Sequence, residues 1–265
     1  MTKPTITIFG QGRVGNALIK SLSDKGYEII SVFNRQTFPG NKDDLGDLVF
    51  LAVQDREIET LSNKIVERIS GLKGKKFVHC SGSLDSSALN SLTKKGCTTA
   101  SFHPLKAVTE NDHSFKDVWF NMEGDQMVLC DLKMIAEDLE AHSFVIKPEA
   151  KPLLHAAAVV SANYVVTIMK IAVDIAEAGD INSEHALKAL LPLMESSMMN
   201  IKEKGFEKAL TGPIARGDFY TVERHVKSLK NYPDLLSIYK KLGSLTLEIA
   251  HLDEKSEQKL KTLLG

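Results

Sequence analysis

The opening of the chain constrains the fold most, because a short β-branched run leads directly into glycines. Residues 4–9 read Pro-Thr-Ile-Thr-Ile-Phe, which predicts a buried strand. Gly10-Gln11-Gly12-Arg13-Val14-Gly15 follows, and a helix is predicted over residues 13–22. Since a strand, a glycine turn and a helix start occur in this order, the G-x-G-x-x-G pattern predicts a dinucleotide-binding turn.

Each glycine has a physical role in such a turn. Gly10 takes the tight turn out of the strand, Gly12 lets the backbone approach a pyrophosphate, and Gly15 lets the helix lie close to the sheet. The free N–H groups at the helix start, with the helix dipole, favour phosphate. An ordinary βα turn is the alternative, but a second strand predicted over residues 27–33 has the spacing expected of a nucleotide-binding unit.

The end of that second strand predicts which nucleotide binds. A site for NAD usually has Asp or Glu about 20 residues beyond the glycines, to bind the ribose 2′-hydroxyl. Here the strand ends in Asn34-Arg35-Gln36, which contains no acid. Because a guanidinium can pair with a 2′-phosphate, NADP(H) is the predicted cofactor. The alternative is that Arg35 is an ordinary solvated surface residue.

Length and charge narrow the classes of protein. A chain of 265 residues is comfortable for two domains, and a net charge of -1 gives no sign of a nucleic-acid partner. Three cysteines share no metal-like spacing, so they are expected to be reduced thiols, with no metal site. The first strand starts at residue 4, too early for a signal peptide, and the apolar run at 153–169 is interrupted by polar residues. We expect a cytoplasmic protein with no membrane span.

Strands and helices alternate along the first half of the chain. Further strands are predicted over residues 47–53, 75–80, 97–102, 119–122, 127–130 and 143–146, with helices over 56–69 and 132–141. Asp55 is the predicted N-cap of the helix at 56–69, and the strands at 119–122 and 127–130 are expected to be antiparallel. This alternation predicts an α/β Rossmann domain with a doubly wound parallel sheet.

Ligands of such sheets bind at the carboxyl ends of the strands. Besides the glycine turn and Asn34-Arg35, that rim contains Ala52 and Val53 after the third strand, Ser81 after the fourth, and His103 at the end of the fifth. We expect Ala52, Val53 and Ser81 to contact the cofactor, and we expect His103 to contact the substrate.

From residue 148 onward the apolar residues recur at spacings of three and four, with no further strand. Helices are predicted over residues 153–178, 183–204, 219–231, 234–252 and 255–264. Gly179, Gly205 and Pro233 are the predicted stops, and Pro192 should kink or split the second helix. We therefore predict a cofactor domain at 1–147 and an all-helical substrate and dimerisation domain at 148–265.

The helix that opens the second domain carries polar residues suited to reduction chemistry. Lys151, His155 and Asn163 can share one face, and a partly buried lysine is a suitable proton donor that His155 could orient. The alternatives are a solvated Lys151 just outside the helix and a histidine satisfied at an interface. Asn163 must find partners in so apolar a run, which favours a functional role.

A second polar segment, Leu210-Thr211-Gly212-Pro213-Ile214-Ala215-Arg216-Gly217-Asp218, predicts a defined turn with Asp218 as N-cap of the next helix. Arg216 could clamp a substrate carboxylate, or it could pair with Asp218 and hold the turn.

Five motifs in order resemble those of a bacterial family of NADP-type oxidoreductases, a Rossmann-like domain plus a helical domain once of unknown function. They are the glycine turn, His79-Cys80-Ser81-Gly82-Ser83, Phe102-His103-Pro104-Leu105, the run from Lys151 to Tyr164, and the segment from Leu210 to Asp218. Some members act as alternative ketopantoate reductases. The resemblance implies Lys151 and His155 as the catalytic pair and a homodimer through the helical domain.

The sequence thus predicts NADPH-dependent reduction of a small 2-oxo acid, with ketopantoate the leading substrate. Lys151 would donate to the carbonyl oxygen, while His103, Asn163 and Arg216 would contact the substrate. Two alternatives stay open: an imine reductase of the pyrroline-5-carboxylate type, and a protein that binds NADP(H) without catalysis.

Overall fold

The computed structural model describes residues 2–110 and 113–265. The chain divides into two compact units, residues 1–162 and 163–265, which we call the sheet unit and the helical unit.

The sheet unit contains one seven-stranded sheet. Its strands are β1 (Ile6–Phe9), β2 (Ile29–Phe33), β3 (Leu48–Leu51), β4 (Lys76–His79), β5 (Thr98–Pro104), β6 (Trp119–Gly124) and β7 (His142–Val145). The order across the sheet is β2-β1-β3-β4-β5-β6-β7. The first five strands are parallel, β6 runs antiparallel to β5, and β7 runs parallel to β6. The chain order reverses between β1 and β3, which is where sheets of this kind bind ligands.

Helices cover both faces of the sheet, as a doubly wound fold requires. They are α1 (Arg13–Asp24), α2 (Asp55–Arg68), α3 (Asn90–Thr93) and α4 (Gln126–Asp138). One apolar core joins α1 and α4 to Ile8, Phe50 and Phe102 of the sheet. A second core joins α2 and the segment 86–93 to Val49 and Phe77 on the other face. The predicted α/β Rossmann domain is therefore confirmed.

Two local predictions in this unit are wrong. Residues 127–130 were expected to form a strand, but they lie in α4, because Asp125 accepts a hydrogen bond from the Met127 amide (2.9 Å) and caps that helix. Asp55 was expected to cap α2, but it is the first residue of that helix and Gln54 occupies the N-cap position. The Asp55 carboxylate instead accepts a hydrogen bond from the Ser83 hydroxyl (2.7 Å). The strand predicted antiparallel at 119–122 is confirmed as β6.

The rest of the described chain is helical, as predicted. The helices are α5 (Lys151–Glu177), α6 (Ser183–Ala209), α7 (Phe219–Ser228), α8 (Pro233–Leu247) and α9 (Glu254–Leu264). Pro192 does not split α6, since the backbone there keeps helical angles and the interruption falls at Gly205, with φ of 74°. A small core around Val222 and Leu260 joins α7 to α9 within the helical unit.

The division between the units falls inside α5, after Ala162. The first turns of α5 belong with the sheet unit because Lys151, at the start of the helix, bonds to groups on the sheet. The boundary at residue 147 marks where the strands have ended, and as a domain boundary it stays a prediction.

Helix α5 is more apolar than we expected. The most apolar 18-residue window within Pro148–Glu177 has a mean hydropathy of 1.7, and by length and composition alone this helix could cross a membrane. The expectation that the chain has no membrane span stays a prediction. Only 11% of this apolar stretch is buried within the chain.

Candidate functional site

The glycine turn after β1 is packed so closely that two of its glycines admit no side chain. A Cβ on Gly10, whose φ is +106°, would lie 2.3 Å from the Ala52 carbonyl oxygen, and one on Gly15 would lie 2.0 Å from the Gly10 carbonyl oxygen. A Cβ on Gly12 would meet no atom within 4 Å. Gly10 and Gly15 therefore hold β1, β3 and α1 together, whereas Gly12 faces open space.

The start of α1 is suited to an anion. Its N-cap is Gly12, which supplies no side-chain cap, and its first turn contains no acidic residue. The amides of the first turn of a helix have no intrahelical acceptor, and the helix dipole makes this end positive. This helix end therefore fits a phosphate group.

A cleft of about 490 Å³ opens beside this turn, at the carboxyl ends of β1, β2 and β3. We call it the glycine cleft. It is lined by Phe9, Gly10, Gln11, Gly12, Phe33, Asn34, Arg35, Phe38, Ala52, Val53, Gln54, Glu57, Thr60, Leu61 and Lys64. The structure thus brings together seven predicted cofactor residues: Gly10, Gln11, Gly12, Asn34, Arg35, Ala52 and Val53. The lining does not include Arg13, Val14, Gly15 or Ser81.

One wall of the glycine cleft carries two cations, Arg35 and Lys64. Arg35 is exposed after β2, and the neighbouring Asn34 side-chain amide donates to Gln11 Oε1 (3.0 Å). Lys64 comes from α2, and its Nζ lies 4.6 Å from the centre of the Phe38 ring. Lys64 was not predicted from the sequence as a cofactor residue. A signal was present, because Lys64 lies one helical turn from Thr60 and Leu61, and all three line the cleft from α2, the helix that follows β3.

Lys151 is fully buried, which excludes the alternative of a solvated lysine. It is the first residue of α5, and its Nζ donates to the Ser81 carbonyl oxygen (3.1 Å), to Ser101 Oγ and to Asn121 Oδ1 (3.5 Å). We call Lys151, Ser81, Ser101, Asn121 and His103 the lysine cluster.

Strand register explains why this cluster forms. His79 of β4 lies beside Ser101 of β5, and Ser101 and His103 lie opposite Glu123 and Asn121 of β6. Residues paired in this way point to the same face of the sheet. Five polar side chains of three strands therefore meet on the face that also carries the second apolar core.

Burial sets the charge balance around Lys151. Removal from water lowers the pKa of Lys151, and the charges of Glu123 and Asp85 oppose that shift. The Glu123 carboxylate is 2% exposed and accepts hydrogen bonds from the Ser86 amide (2.8 Å) and the Ser86 hydroxyl (2.8 Å). Burial also raises the pKa of Glu123.

His103 of the cluster faces a second histidine, His155, which lies beside it. His103 Nδ1 lies 3.0 Å from the Asn121 amide nitrogen, and burial followed by the charge of Lys151 lowers the pKa of His103 to about 4. The ring of His155 lies edge-on to that of His103, with centroids 5.8 Å apart. Gly82 separates them: a Cβ there would lie 2.5 Å from His155 Nδ1 and 2.8 Å from His103 Nε2. The predicted site residues Lys151, His155, Ser81 and His103 are thus brought together.

Asn163 and Arg216 lie in the helical unit, and both are exposed. Asn163 therefore needs no internal partner, which corrects the expectation drawn from its apolar surroundings. Asp218 caps α7 as predicted, accepting a hydrogen bond from the Thr221 amide (3.1 Å). These Thr221 bonds, and to a smaller degree the charge of Arg216, lower the pKa of Asp218. The substrate roles of Asn163 and Arg216 stay predictions.

Comparisons with known proteins agree with this architecture. Residues 118–246 match the family described as a domain of unknown function, DUF2520. Protein TM1727 of Thermotoga maritima is 26% identical with a TM-score of 0.72, covering 96% of this chain and 100% of its own. BF3122 of Bacteroides fragilis, described as a candidate NADP oxidoreductase, is 21% identical with a TM-score of 0.73, covering 93% of this chain and 98% of its own. The resemblance to the Rossmann-plus-helical family is confirmed at the level of the fold.

A more distant solved structure has the same fold. Pyrroline carboxylate reductase of Plasmodium falciparum, solved with NADP bound, is 15% identical with a TM-score of 0.61, and the match covers 100% of both chains. No protein of curated function matches this chain.

Proposed function

We propose that this protein is an NADP(H)-dependent oxidoreductase that binds its cofactor in the glycine cleft. The observation that carries the proposal is the open space at Gly12, between two glycines that admit no side chain and next to an uncapped helix start. A pyrophosphate can approach the backbone there and accept hydrogen bonds from the first turn of α1. Arg13, Val14 and Gly15 supply those amides.

The 2′-phosphate of NADP(H) fits the cationic wall of the cleft. Arg35 and Lys64 line it, and no acid follows β2 where an NAD site would hold the ribose hydroxyls. Asn34, Ala52 and Val53 would contact the adenosine and ribose parts, and Ser81 the nicotinamide end. The bound cofactor supplies a hydride to an electrophilic carbon.

For the reaction we propose reduction of a small 2-oxo acid to a 2-hydroxy acid, with ketopantoate as the leading substrate. The lysine cluster with His155 supports this, because it places N–H donors at the carboxyl ends of β4 and β5, where a carbonyl oxygen can be stabilised as it gains charge. Lys151 and His155, the catalytic pair predicted from the sequence, both belong to this group of side chains. Asn163 and Arg216 are the proposed ligands of substrate oxygens and carboxylate.

One observation favours a second candidate, an imine reductase of the pyrroline-5-carboxylate type. Lys151 already donates to three protein acceptors and is fully buried, so no strong acid is free beside the cluster. A protonated imine needs no further proton donor when it accepts hydride. The neighbour from Plasmodium falciparum is a reductase of this kind.

Consumption of NADPH, followed by absorbance, tests these proposals with ketopantoate, related 2-oxo acids and pyrroline-5-carboxylate. We expect turnover with a 2-oxo acid and little with the imine, and the reverse result would favour the second candidate. A Lys151→Ala variant should lose turnover on the order of 10²- to 10⁴-fold if the lysine serves carbonyl reduction. If the protein binds NADPH but consumes it with none of these substrates, the protein would be a non-catalytic NADP(H)-binding protein.

We also propose a cytoplasmic homodimer formed through the helical region. Several large apolar side chains are more than half exposed in the single chain, including Leu153, Val166, Leu193 and Phe206. Apolar surface of this extent marks an interface. Light scattering after gel filtration should give a mass of two chains in the absence of detergent.

A further inference from the structure

The contacts of Lys151 leave it no free proton to offer. An ammonium group has three N–H donors, and the Nζ of Lys151 lies beside three acceptors: Ser81 O, Ser101 Oγ and Asn121 Oδ1. Since the side chain is also 0% exposed, a ligand reaches it only if these bonds break. We therefore expect Lys151 to act through the groups that accept its hydrogen bonds.

One of those groups is a side-chain amide whose two ends differ. Asn121 Oδ1 accepts from Lys151, so the other end, Nδ2, faces His103 Nδ1 at 3.0 Å and the His103 carbonyl oxygen at 3.3 Å. An amide nitrogen only donates, so His103 Nδ1 must accept. In a neutral imidazole the remaining nitrogen, Nε2, then carries the proton.

We propose that Lys151 is a positioning residue which, through Asn121, fixes His103 in the tautomer with a protonated Nε2, and that this N–H is the hydrogen-bond donor to the substrate carbonyl oxygen. The inference rests on the proposed reduction of a 2-oxo acid. No hydrogen bond in the described chain involves His103 Nε2; the His103 residue is partly exposed, and its Nε2 edge lies so close to Gly82 that a side chain there would collide with it.

The atoms and electrons balance without an acidic side chain. Hydride adds to the carbonyl carbon, and the electron pair of the C=O π bond moves to the oxygen. The Nε2–H of His103 stabilises the resulting alkoxide, and a solvent water gives the proton that completes the hydroxyl, leaving hydroxide that the buffer neutralises. His103 stays neutral throughout.

The surroundings of His103 keep it neutral near pH 7. Lys151 and His155 face it from α5, His79 from β4 and Asp55 from α2. Burial and the lysine charge outweigh the attraction of Asp55, so the pKa of His103 falls to about 4. A neutral imidazole with a fixed tautomer donates from the same atom at every pH above that value.

Nitrogen-15 NMR of the histidine rings tests the positioning half directly, on the full chain without cofactor or substrate. His103 is assigned by comparison with His103→Gln. We expect a protonated Nε2 and an unprotonated Nδ1 from pH 5.5 to pH 8. A proton on Nδ1, or titration at the ordinary histidine pKa of about 6.5, would overturn the inference.

Asn121→Asp then reverses the tautomer by design. A carboxylate at position 121 only accepts, so the proton should move to Nδ1 and the pKa of His103 should rise. With a 2-oxo acid, kcat should fall on the order of 10²-fold while KM for NADPH stays within about twofold, the loss expected for one oxyanion donor. Unchanged kcat with a reversed tautomer would refute the donor role.

Ser101→Ala is the matched control, because it removes a different acceptor of Lys151 and leaves Asn121 in place. Its His103 tautomer should match that of the parent protein. Lys151→Met should instead show both tautomers, and a single, unaltered one would refute the role of the lysine. If the parent protein reduces no 2-oxo acid, the proposed function and the substrate half of this inference fail together, while the NMR result on the tautomer still stands or falls alone.

Discussion

The glycine cleft and the lysine cluster lie along the same rim of one sheet, but they are built in opposite ways. The cleft is open, its closest approaches are between backbone atoms, and glycines form its floor. The cluster is closed, each of its contacts is made by a side chain, and its central residue is a fully buried cation. A backbone site of this kind is encoded by a few consecutive residues, whereas a side-chain network depends on how distant strands align.

This difference predicts which substitutions damage folding and which damage binding alone. Glycines in contact with backbone should be structural, and the glycine that faces open space should be functional. In the cluster the two roles should coincide, because the groups proposed to fix the catalytic geometry are also buried in the core. The following predictions test the contrast, beginning with the largest expected effect.

Gly15→Ala should destabilise the fold strongly. The new Cβ would lie 2.0 Å from the Gly10 carbonyl oxygen, so α1 must move away from the sheet. We expect a loss of about 3 kcal/mol or more in the free energy of unfolding, measured in urea. A loss below about 1 kcal/mol would mean that the turn yields easily and is not the rigid floor described here.

Gly12→Ala is the matched variant and should behave in the opposite way. Its Cβ meets nothing within 4 Å, and its backbone, at φ -75° and ψ -174°, is open to alanine. Urea unfolding should change by less than about 1 kcal/mol, since the position is only an N-cap. NADPH affinity, measured by calorimetry, should fall about 100-fold because the methyl group occupies the surface that a pyrophosphate approaches. If Gly12→Ala and Gly15→Ala lost equal amounts of stability, Gly12 would be a structural glycine like Gly15, and the proposed contrast between the two positions would fail.

How much of each site the sequence predicts follows from the same contrast. The glycine turn and Asn34-Arg35 were predicted because each role belongs to residues adjacent in the chain. Lys151 was found because it begins an apolar helix, but its partners were not. Ser101 and Asn121 lie 20 residues apart in different strands, and only the β5–β6 register places them together.

A usable signal was nevertheless present. Ser101 with His103, and Asn121 with Glu123, are polar residues at alternate positions of buried strands, which are costly without partners on the same face. The wrong prediction of a strand at residues 127–130 could also have been avoided. Short apolar runs do not distinguish strand from helix, and Asp125 as N-cap was the deciding residue.

Mild acid should destabilise the fold through His103 of the cluster and its buried neighbour His79, whereas the described residues that line the glycine cleft include no histidine. Burial lowers the pKa of His79 and of His103 to about 4, below the ordinary histidine value, so the unfolded chain binds protons more readily. Stability is complete above about pH 6.5 and is lost as the pH falls toward 4, by about 2 kcal/mol per histidine between pH 7 and 5. Urea unfolding at a series of pH values measures this slope. His103→Gln should remove about half of it, whereas the exposed His185→Gln, as control, should leave it unchanged.

Arg35→Ala should alter cofactor choice without altering the fold, because the side chain is exposed at the end of β2. Loss of a charged contact to the 2′-phosphate should weaken NADPH binding about tenfold and leave NADH binding within about twofold. Calorimetric titration of both cofactors against the same preparation makes the comparison. An equal loss for NADPH and NADH would show that the guanidinium does not contact the 2′-phosphate.

The smallest predicted effect distinguishes Lys64 from Arg68, two cations that lie near the Phe38 ring. The Lys64 Nζ lies 4.6 Å and the Arg68 Cζ 5.5 Å from the centre of Phe38, but only Lys64 lines the glycine cleft. Lys64→Gln should therefore weaken NADPH binding about threefold, the size of an exposed charge interaction, and the loss should shrink as salt is added. Arg68→Gln loses a similar contact with the ring outside the cleft, so NADPH affinity should not change. If both variants weaken binding equally, the contribution comes from the position of Phe38 and not from a lysine charge beside the 2′-phosphate.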